Sequence, residues 1–113
     1  IDVLLEPHVT SEQTKQGFDP DELMNVLSTA DGNEHIRFRG IMGMATFTDD
    51  EAVVRSDFSR IKALADTIRE VYPGLVSDFT ELSIGMSDDY PIAVEYGSTM
   101  VRIGSMIFGK RNY

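Results

Sequence analysis

Two glycine-containing motifs in the last third of the chain combine backbone amides with a hydroxyl group. The first is Gly85-Met86-Ser87, which opens a helix, and the second is Ile103-Gly104-Ser105, which opens a short apolar segment. Unpaired amides at a helix start point outward and carry partial positive charge, so they attract anions. The paired motifs predict a phosphate site at Ser87, Gly104 and Ser105. Taken singly, each motif is also compatible with an ordinary helix cap or turn.

A third residue with chemical potential is Arg102, which lies between Val101 and Ile103 in an apolar strand pattern. A guanidinium in such a strand must enter a polar site or pair with an acid, because burying an unpaired charge is costly. The spacing leaves both possibilities open. Arg102 either faces a ligand or forms an ion pair with one of the 19 acidic residues.

Other common kinds of catalytic site have little support. The chain has no cysteine, so a thiol nucleophile, a disulfide and a thiolate zinc site are excluded. His8 and His35 have no carboxylate or cysteine at metal-ligand spacing. The pattern Gly-x-Ser-x-Gly of serine hydrolases is absent around Ser87. We therefore predict neither a metal ligand nor a catalytic nucleophile.

The net charge of the chain limits the kinds of partner that it can bind. Ten basic and 19 acidic residues give a net charge of −9, which repels nucleic acid backbones and anionic lipid surfaces. No run approaches the roughly 18 apolar residues of a membrane span, and the N-terminal residues do not resemble a signal peptide. We expect a cytoplasmic protein with no nucleic acid or membrane partner.

The elements that must position the site alternate regularly between strands and helices. Apolar, β-branched segments predict four strands, which we place at Val3–Val9, Ile36–Met44, Leu82–Met86 and Met100–Ile103. Between them lie three predicted helices, which begin at the N-cap Asp19, at a capping box over Thr48–Glu51 and at Ser87–Asp89. The second helix carries an apolar stripe with the spacing of an amphipathic helix, formed by Val54, Phe58, Ile61, Ala65, Ile68 and Val71.

This alternation predicts an α/β fold with a parallel sheet, either a doubly wound sheet or a slice of a barrel. Four parallel strands with three helices make a poor stand-alone domain, because both faces of such a sheet need cover and its edges stay open. Strand character begins almost at Ile1. We therefore expect another half, or a second copy of the chain, to complete the fold.

Five blocks of the sequence carry a family pattern. The most specific are Leu82–Asp89, Gly97–Ser105 and Ile107–Gly109, and the weaker ones are Arg39–Met42 and Glu12–Gly17. Together they resemble the pyridoxal phosphate homeostasis family, also called YggS-like or PROSC proteins. Ile41, Ile84 and Ser105 depart from the usual leucine, methionine and threonine, but no functional group is lost. The similarity covers essentially the whole chain.

The resemblance implies a (β/α)₈ TIM barrel of the alanine racemase N-terminal type, with residues 1–113 as its C-terminal half, strands five to eight. It implies that the chain binds pyridoxal 5'-phosphate. Ser87, Gly104 and Ser105 would hold the phosphate, and Arg102 would face the pyridine nitrogen. The Schiff-base lysine of the family lies on an early strand, in a motif that Lys15, Lys62 and Lys110 do not match. It is expected in the missing N-terminal half.

A protonated arginine beside the ring nitrogen keeps that nitrogen neutral and the ring a weaker electron sink. The resemblance thus implies a cofactor carrier in pyridoxal phosphate homeostasis rather than an established enzyme. Two alternatives stay open. One is an amino acid racemase that uses the cofactor, which would need a second domain. The other is a stand-alone α/β module that binds phosphate or sulfate and phosphorylated metabolites.

Overall fold

The computed structural model describes residues 1–10, 17–29, 35–75 and 77–109. Within them, strands and helices alternate along the chain. Their bounds are β1 (Asp2–Leu5), α1 (Pro20–Ser28), β2 (Arg37–Met42), α2 (Glu51–Val71), β3 (Glu81–Met86), α3 (Tyr90–Glu95), β4 (Met100–Arg102) and α4 (Ser105–Phe108). A short 3₁₀ turn at Pro73–Leu75 links α2 to β3.

All strand pairs are parallel, and the spatial order β1-β2-β3-β4 follows the order along the chain. Right-handed crossovers that all step in one direction place every helix on the same face of the sheet. A doubly wound sheet would instead reverse its direction and carry helices on both faces. The chain is therefore a partial barrel, which confirms the predicted α/β fold with four parallel strands.

The main core lies between the sheet and α2. The helix contributes Phe58, Ile61 and Ile68, which are fully buried, and the strands contribute Ile41 and Ile84. Burial of each such side chain stabilises the folded state by about 1.5–3 kcal/mol relative to leaving that side chain exposed. The amphipathic stripe of the second predicted helix is thus confirmed up to its last member.

Val71 was wrongly assigned to this buried stripe. It is 53% exposed, because it is the last residue of α2 and the chain leaves the helical path at Tyr72. The first predicted strand is also too long, since β1 ends at Leu5. Pro7 has no N–H to donate, and it takes part only in an isolated bridge with Phe18.

The helix starts confirm one predicted cap and correct another. The carboxylate of Asp19 accepts the amide of Glu22 at 2.9 Å, and the Asp19 amide donates to the Glu22 carboxylate at 3.3 Å, as a capping box requires. The box predicted over Thr48–Glu51 is wrong. Asp50 is the N-cap of α2 and accepts the Ala52 amide at 3.0 Å, whereas the Thr48 hydroxyl accepts the Asp50 amide at 3.1 Å, before the helix begins.

No helix in the described part of the chain is both long and apolar enough to cross a membrane.

Candidate functional site

The two predicted strand-end motifs meet in space. Because β3 and β4 are parallel neighbours, their carboxyl ends lie at the same edge of the sheet. There the hydroxyl of Ser87 accepts a hydrogen bond from the Met106 amide at 3.3 Å. Gly104 occupies the N-cap position of α4 and Ser105 is its first residue. Ser87 therefore lies beside the turn that contains Gly104 and Ser105.

The turn after β3 presents Ser87 to this neighbour. Asp89 closes the turn, since its carboxylate accepts the Met86 amide at 2.7 Å and its own amide donates to the Met86 carbonyl at 3.2 Å. Asp89, not Ser87, occupies the N-cap position of α3. The observed cap is thus the last residue of the predicted helix start Ser87–Asp89, and the ordinary N-cap alternative for Ser87 is wrong.

Gly85 lets α3 come close to the end of β3. Its φ of +102° lies in the region that glycine favours, and a Cβ there would come within 2.7 Å of the Ala93 side chain. Ala93 is fully buried on α3. This close approach fixes the path of the chain just before Ser87.

The site is open where Gly104 lies. A Cβ on Gly104 would meet no atom within 4 Å, and Gly104 and Ser105 are exposed, whereas Ser87 is half-buried. The three residues of the predicted phosphate site are therefore together, and ligand atoms have room beside them.

Arg102 reaches across the sheet from the end of β4. Its Nη2 atom donates to the carbonyl oxygen of Gly43, after β2, at 2.7 Å. Its Nε atom is buried and has no hydrogen-bond partner among the residues that the structure describes. No carboxylate of the described residues pairs with Arg102. The ion-pair alternative is therefore not observed in this part of the chain.

A buried donor without a partner costs about 1–3 kcal/mol. A ligand that brings an acceptor to Nε would remove this cost. A ring nitrogen with a free lone pair is such an acceptor, and the guanidinium stays protonated throughout. Residues able to contact a phosphate follow β4 itself and its neighbour β3, so the site fits a phosphorylated heteroaromatic group such as pyridoxal phosphate.

A buried carboxylate that was not predicted from the sequence fixes the loop after β2. The buried Asp57 carboxylate accepts both the amide and the hydroxyl of Thr46 at 2.7 Å, and Arg60 donates to its other oxygen at 3.0 Å. Asp57 lies three residues after Val54 and four before Ile61, so it falls on the apolar face of α2. A carboxylate on that face was the signal that could have revealed it.

The described residues offer no cluster of three or more side chains suited to a metal ion. Among the lysines, Lys62 lies on α2 and pairs with Asp66 at 2.9 Å. Lys15 and Lys110 lie outside the described residues.

Sequential parallel strands with polar residues at their carboxyl ends are the arrangement of the (β/α) barrel class. Within that class, residues 2–112 match the family model for the N-terminal domain of alanine racemase. The chain belongs to this family.

Curated relatives carry the name pyridoxal phosphate homeostasis protein. The one from Haemophilus influenzae is 36% identical over 113 residues, which are all of this chain and 47% of the relative. The one from Aquifex aeolicus is 33% identical over 112 residues, 99% of this chain and 48% of the relative. The chain thus spans about half the length of these relatives.

Several solved structures have the same fold as this chain. PipY of Synechococcus elongatus without PLP has a TM-score of 0.86 at 30% identity, and PipY with PLP bound has 0.82 at 29%. Both matches cover 96% of this chain and 49% of PipY. An unknown protein from Bifidobacterium adolescentis has a TM-score of 0.85 at 32% identity, covering 96% of this chain and 43% of that one.

The family model, described as the N-terminal domain of alanine racemase, does not test the narrower prediction that residues 1–113 are the C-terminal half of a barrel. That prediction stays a prediction.

Proposed function

We propose that this chain binds pyridoxal 5'-phosphate as part of a protein of pyridoxal phosphate homeostasis. Ser87, Gly104 and Ser105 hold the phosphate, and Arg102 faces the pyridine nitrogen. The observation that carries the proposal is the buried Nε atom of Arg102, which has no hydrogen-bond partner among the described residues and lies on β4, beside the strand ends that bring Ser87 and Met106 into contact. The name of the curated relatives and the solved structure of PipY with PLP bound support the choice of ligand.

At the phosphate end of the site, which is formed by Ser87, Gly104 and Ser105, hydrogen bonds hold the ligand. The Ser87 hydroxyl donates to a phosphate oxygen while its lone pair accepts from Met106, since a hydroxyl can do both. The Ser105 hydroxyl and the amides of the Gly104–Ser105 turn supply further donors on the open side. Bonds to an ionised phosphate are about twice as strong as neutral ones.

The contact between Arg102 and the pyridine ring determines which reactions the bound cofactor could support. The Arg102 guanidinium does not give up its proton, so its Nε–H donates to the ring nitrogen and leaves that nitrogen neutral. A neutral pyridine is a weak electron sink. This supports binding and delivery of the cofactor rather than carbanion chemistry.

We also propose that the chain supplies the last four strands of its barrel and that the Schiff-base lysine comes from the other strands. Exposed apolar residues on β4 and α4 support a covering partner, among them Val101, Ile107 and Phe108. That partner is the remaining barrel half or a second copy of the chain. We place the protein in the cytoplasm, in keeping with its lack of cysteine.

Titration of the full-length gene product with pyridoxal 5'-phosphate, followed by absorption spectroscopy, tests the binding. Ser87→Ala and Ser105→Ala should each weaken affinity by roughly tenfold to hundredfold, since a hydrogen bond to a charged group contributes about 1.5–3 kcal/mol. Ser28→Ala, on the exposed face of α1, is the matched control and should bind as wild type. Wild-type affinity in both site variants would contradict the proposal.

A further inference from the structure

The pairing between β3 and β4 is irregular just below the site. Ser83 pairs with Met100 and Met86 pairs with Arg102, so a step of three residues on β3 opposes a step of two on β4. Such a bulge leaves one residue of the longer strand outside the regular ladder. Groups other than the ladder must then hold the two strands in register.

Two hydroxyl groups lie at this irregular junction. The Ser98 Oγ atom is 2.6 Å from the Ile84 carbonyl oxygen and 2.9 Å from the Met100 carbonyl oxygen. One hydroxyl has one proton, so it donates to one carbonyl at a time, and the shorter distance favours Ile84. The Thr99 hydroxyl accepts the Leu82 amide at 2.8 Å. Side chains here take over contacts that a regular ladder makes through the backbone.

Ser98 also connects this junction to α3. Its backbone amide donates to the Ala93 carbonyl at 3.2 Å. Ala93 is the residue against which Gly85 packs at the end of β3. The hydroxyl and the amide of Ser98 therefore fix β4 against both the bulge and the helix that follows Ser87.

The register of β3 and β4 sets the geometry of the phosphate end. Ser87 follows β3, whereas Gly104 and Ser105 follow β4. One residue of a parallel strand rises about 3.3 Å. A slip of one residue would therefore move Ser87 out of hydrogen-bond reach of Met106.

We propose that Ser98 is a positioning residue for the ligand site. Its hydroxyl satisfies the Ile84 carbonyl in the bulge and thereby fixes the register that puts Ser87 beside Gly104 and Ser105. The consequence for ligand affinity rests on the proposed function, whereas the consequence for the contact between Ser87 and Met106 does not.

The test compares Ser98→Ala, which loses the hydroxyl, with Ser98→Thr, which keeps it, in the full-length gene product. We expect Ser98→Ala to weaken the affinity for inorganic phosphate roughly tenfold, the scale of one misplaced hydrogen bond to an anion, and Ser98→Thr to restore most of it. In a crystal structure of Ser98→Ala, the Ser87 Oγ and Met106 N atoms should lie beyond hydrogen-bond distance.

Two controls separate positioning from stability. Ser28→Ala removes a hydroxyl that donates to the Asn25 carbonyl at 2.7 Å, the same kind of bond at a remote site. Phe58→Leu weakens the core below the sheet. Both should keep wild-type phosphate affinity, although Phe58→Leu lowers the melting temperature. Should Ser98→Ala fail to fold, Ser98→Cys, with its weakly donating thiol, gives the same two measurements.

The outcomes distinguish this inference from the proposed function. A wild-type protein that does not bind phosphate refutes the proposed function, and the crystal structure of the Ser98 variant still decides the inference. An intact contact between Ser87 and Met106 in Ser98→Ala, or in Ser98→Cys if only that variant folds, overturns the inference. Equal losses of affinity in Ser98→Ala and Ser98→Thr overturn it as well.

Discussion

The Nη2 atom of Arg102 and the carbonyl oxygen of Gly43 are joined at 2.7 Å, although β3 lies between their strands. The Gly43 amide donates to the Ser83 carbonyl at 3.0 Å. This hydrogen bond fixes Gly43, and with it the carbonyl that Arg102 contacts, to the end of β3. A Cβ on Gly43 would come within 2.6 Å of the Ile61 side chain. Glycine therefore permits close packing on α2 while its carbonyl orients the guanidinium and leaves Nε unpaired.

Arg102→Ala should shift the absorption band of bound pyridoxal 5'-phosphate, because a charge beside the ring is lost. Affinity for inorganic phosphate should stay within about twofold of wild type, as for a substitution outside the phosphate contacts. Absorption spectra and phosphate competition measure the two effects. Arg37→Ala is the control, since Arg37 is exposed at the opposite end of β2 and pairs with Asp2. An unchanged band with a collapse in phosphate affinity would assign Arg102 to the phosphate instead.

Asp57→Ala should lower the free energy of unfolding by about 2–4 kcal/mol, because two donors of Thr46 lose their acceptor at a buried site. Urea denaturation measures the loss. Asp66→Ala is the matched control on the same helix. Its exposed pair with Lys62 should contribute less than about 1 kcal/mol. Similar losses in the two variants would show that burial of Asp57 has no special effect.

Gly40→Ala should be severely destabilising. Gly40 has a φ of +153°, and a Cβ there would lie 1.8 Å from the Glu81 carbonyl oxygen, a backbone atom that cannot move aside alone. We expect a loss of about 3 kcal/mol or more, or no folded protein. Gly74→Ala, where a Cβ would meet nothing within 4 Å, should be neutral or slightly stabilising. Thermal melts of both variants test this contrast, and equal melting temperatures would refute it.

The helix cap at Asp19 should make stability depend on acid pH. The hydrogen bond that the Glu22 amide donates to the Asp19 carboxylate lowers the pKa of Asp19 below its ordinary value of 3.8. Because the folded-state pKa is the lower one, the cap stabilises above pH 3.8 and its contribution is lost as pH falls through the folded-state pKa. Asp19→Ala should therefore melt below wild type at neutral pH, and the difference should shrink at lower pH.

Melting curves of wild type and Asp19→Ala between pH 7 and pH 2 measure this difference. Asp21→Ala is the control, since Asp21 lies in the same helical turn but is not the cap. A melting difference that stays constant across the acid range would contradict the predicted contribution of the Asp19 carboxylate.

The order of strands and helices was predictable because each carries its own periodicity. Alternation along the chain, however, does not encode the direction of each crossover, so the residue pattern alone left a doubly wound sheet and a barrel equally open. The capping error arose for a similar reason. Thr48 and Asp50 are both good caps, and only the path of the chain decides which one is used.

The candidate site was predictable where it depends on parallel strands. The proximity of Ser87 to Gly104 follows from the rule that carboxyl ends of neighbouring strands meet. The partner of Arg102 was not predictable, because a backbone carbonyl such as that of Gly43 has no signature in the sequence. The hydroxyl of Ser98 was missed likewise, since a bulge depends on register and not on residue type.

The sequential strand order also affects how the chain acquires its structure during synthesis. Each strand pairs with its immediate successor, so pairing need not wait for a distant segment. Pairing between consecutive strands closes a shorter loop than pairing between distant ones, and synthesis releases the N-terminal elements first. β1 and β2 can therefore associate before β3 and β4 have emerged. The phosphate contacts need the last two strands, so a nascent chain acquires its scaffold before it can capture a ligand.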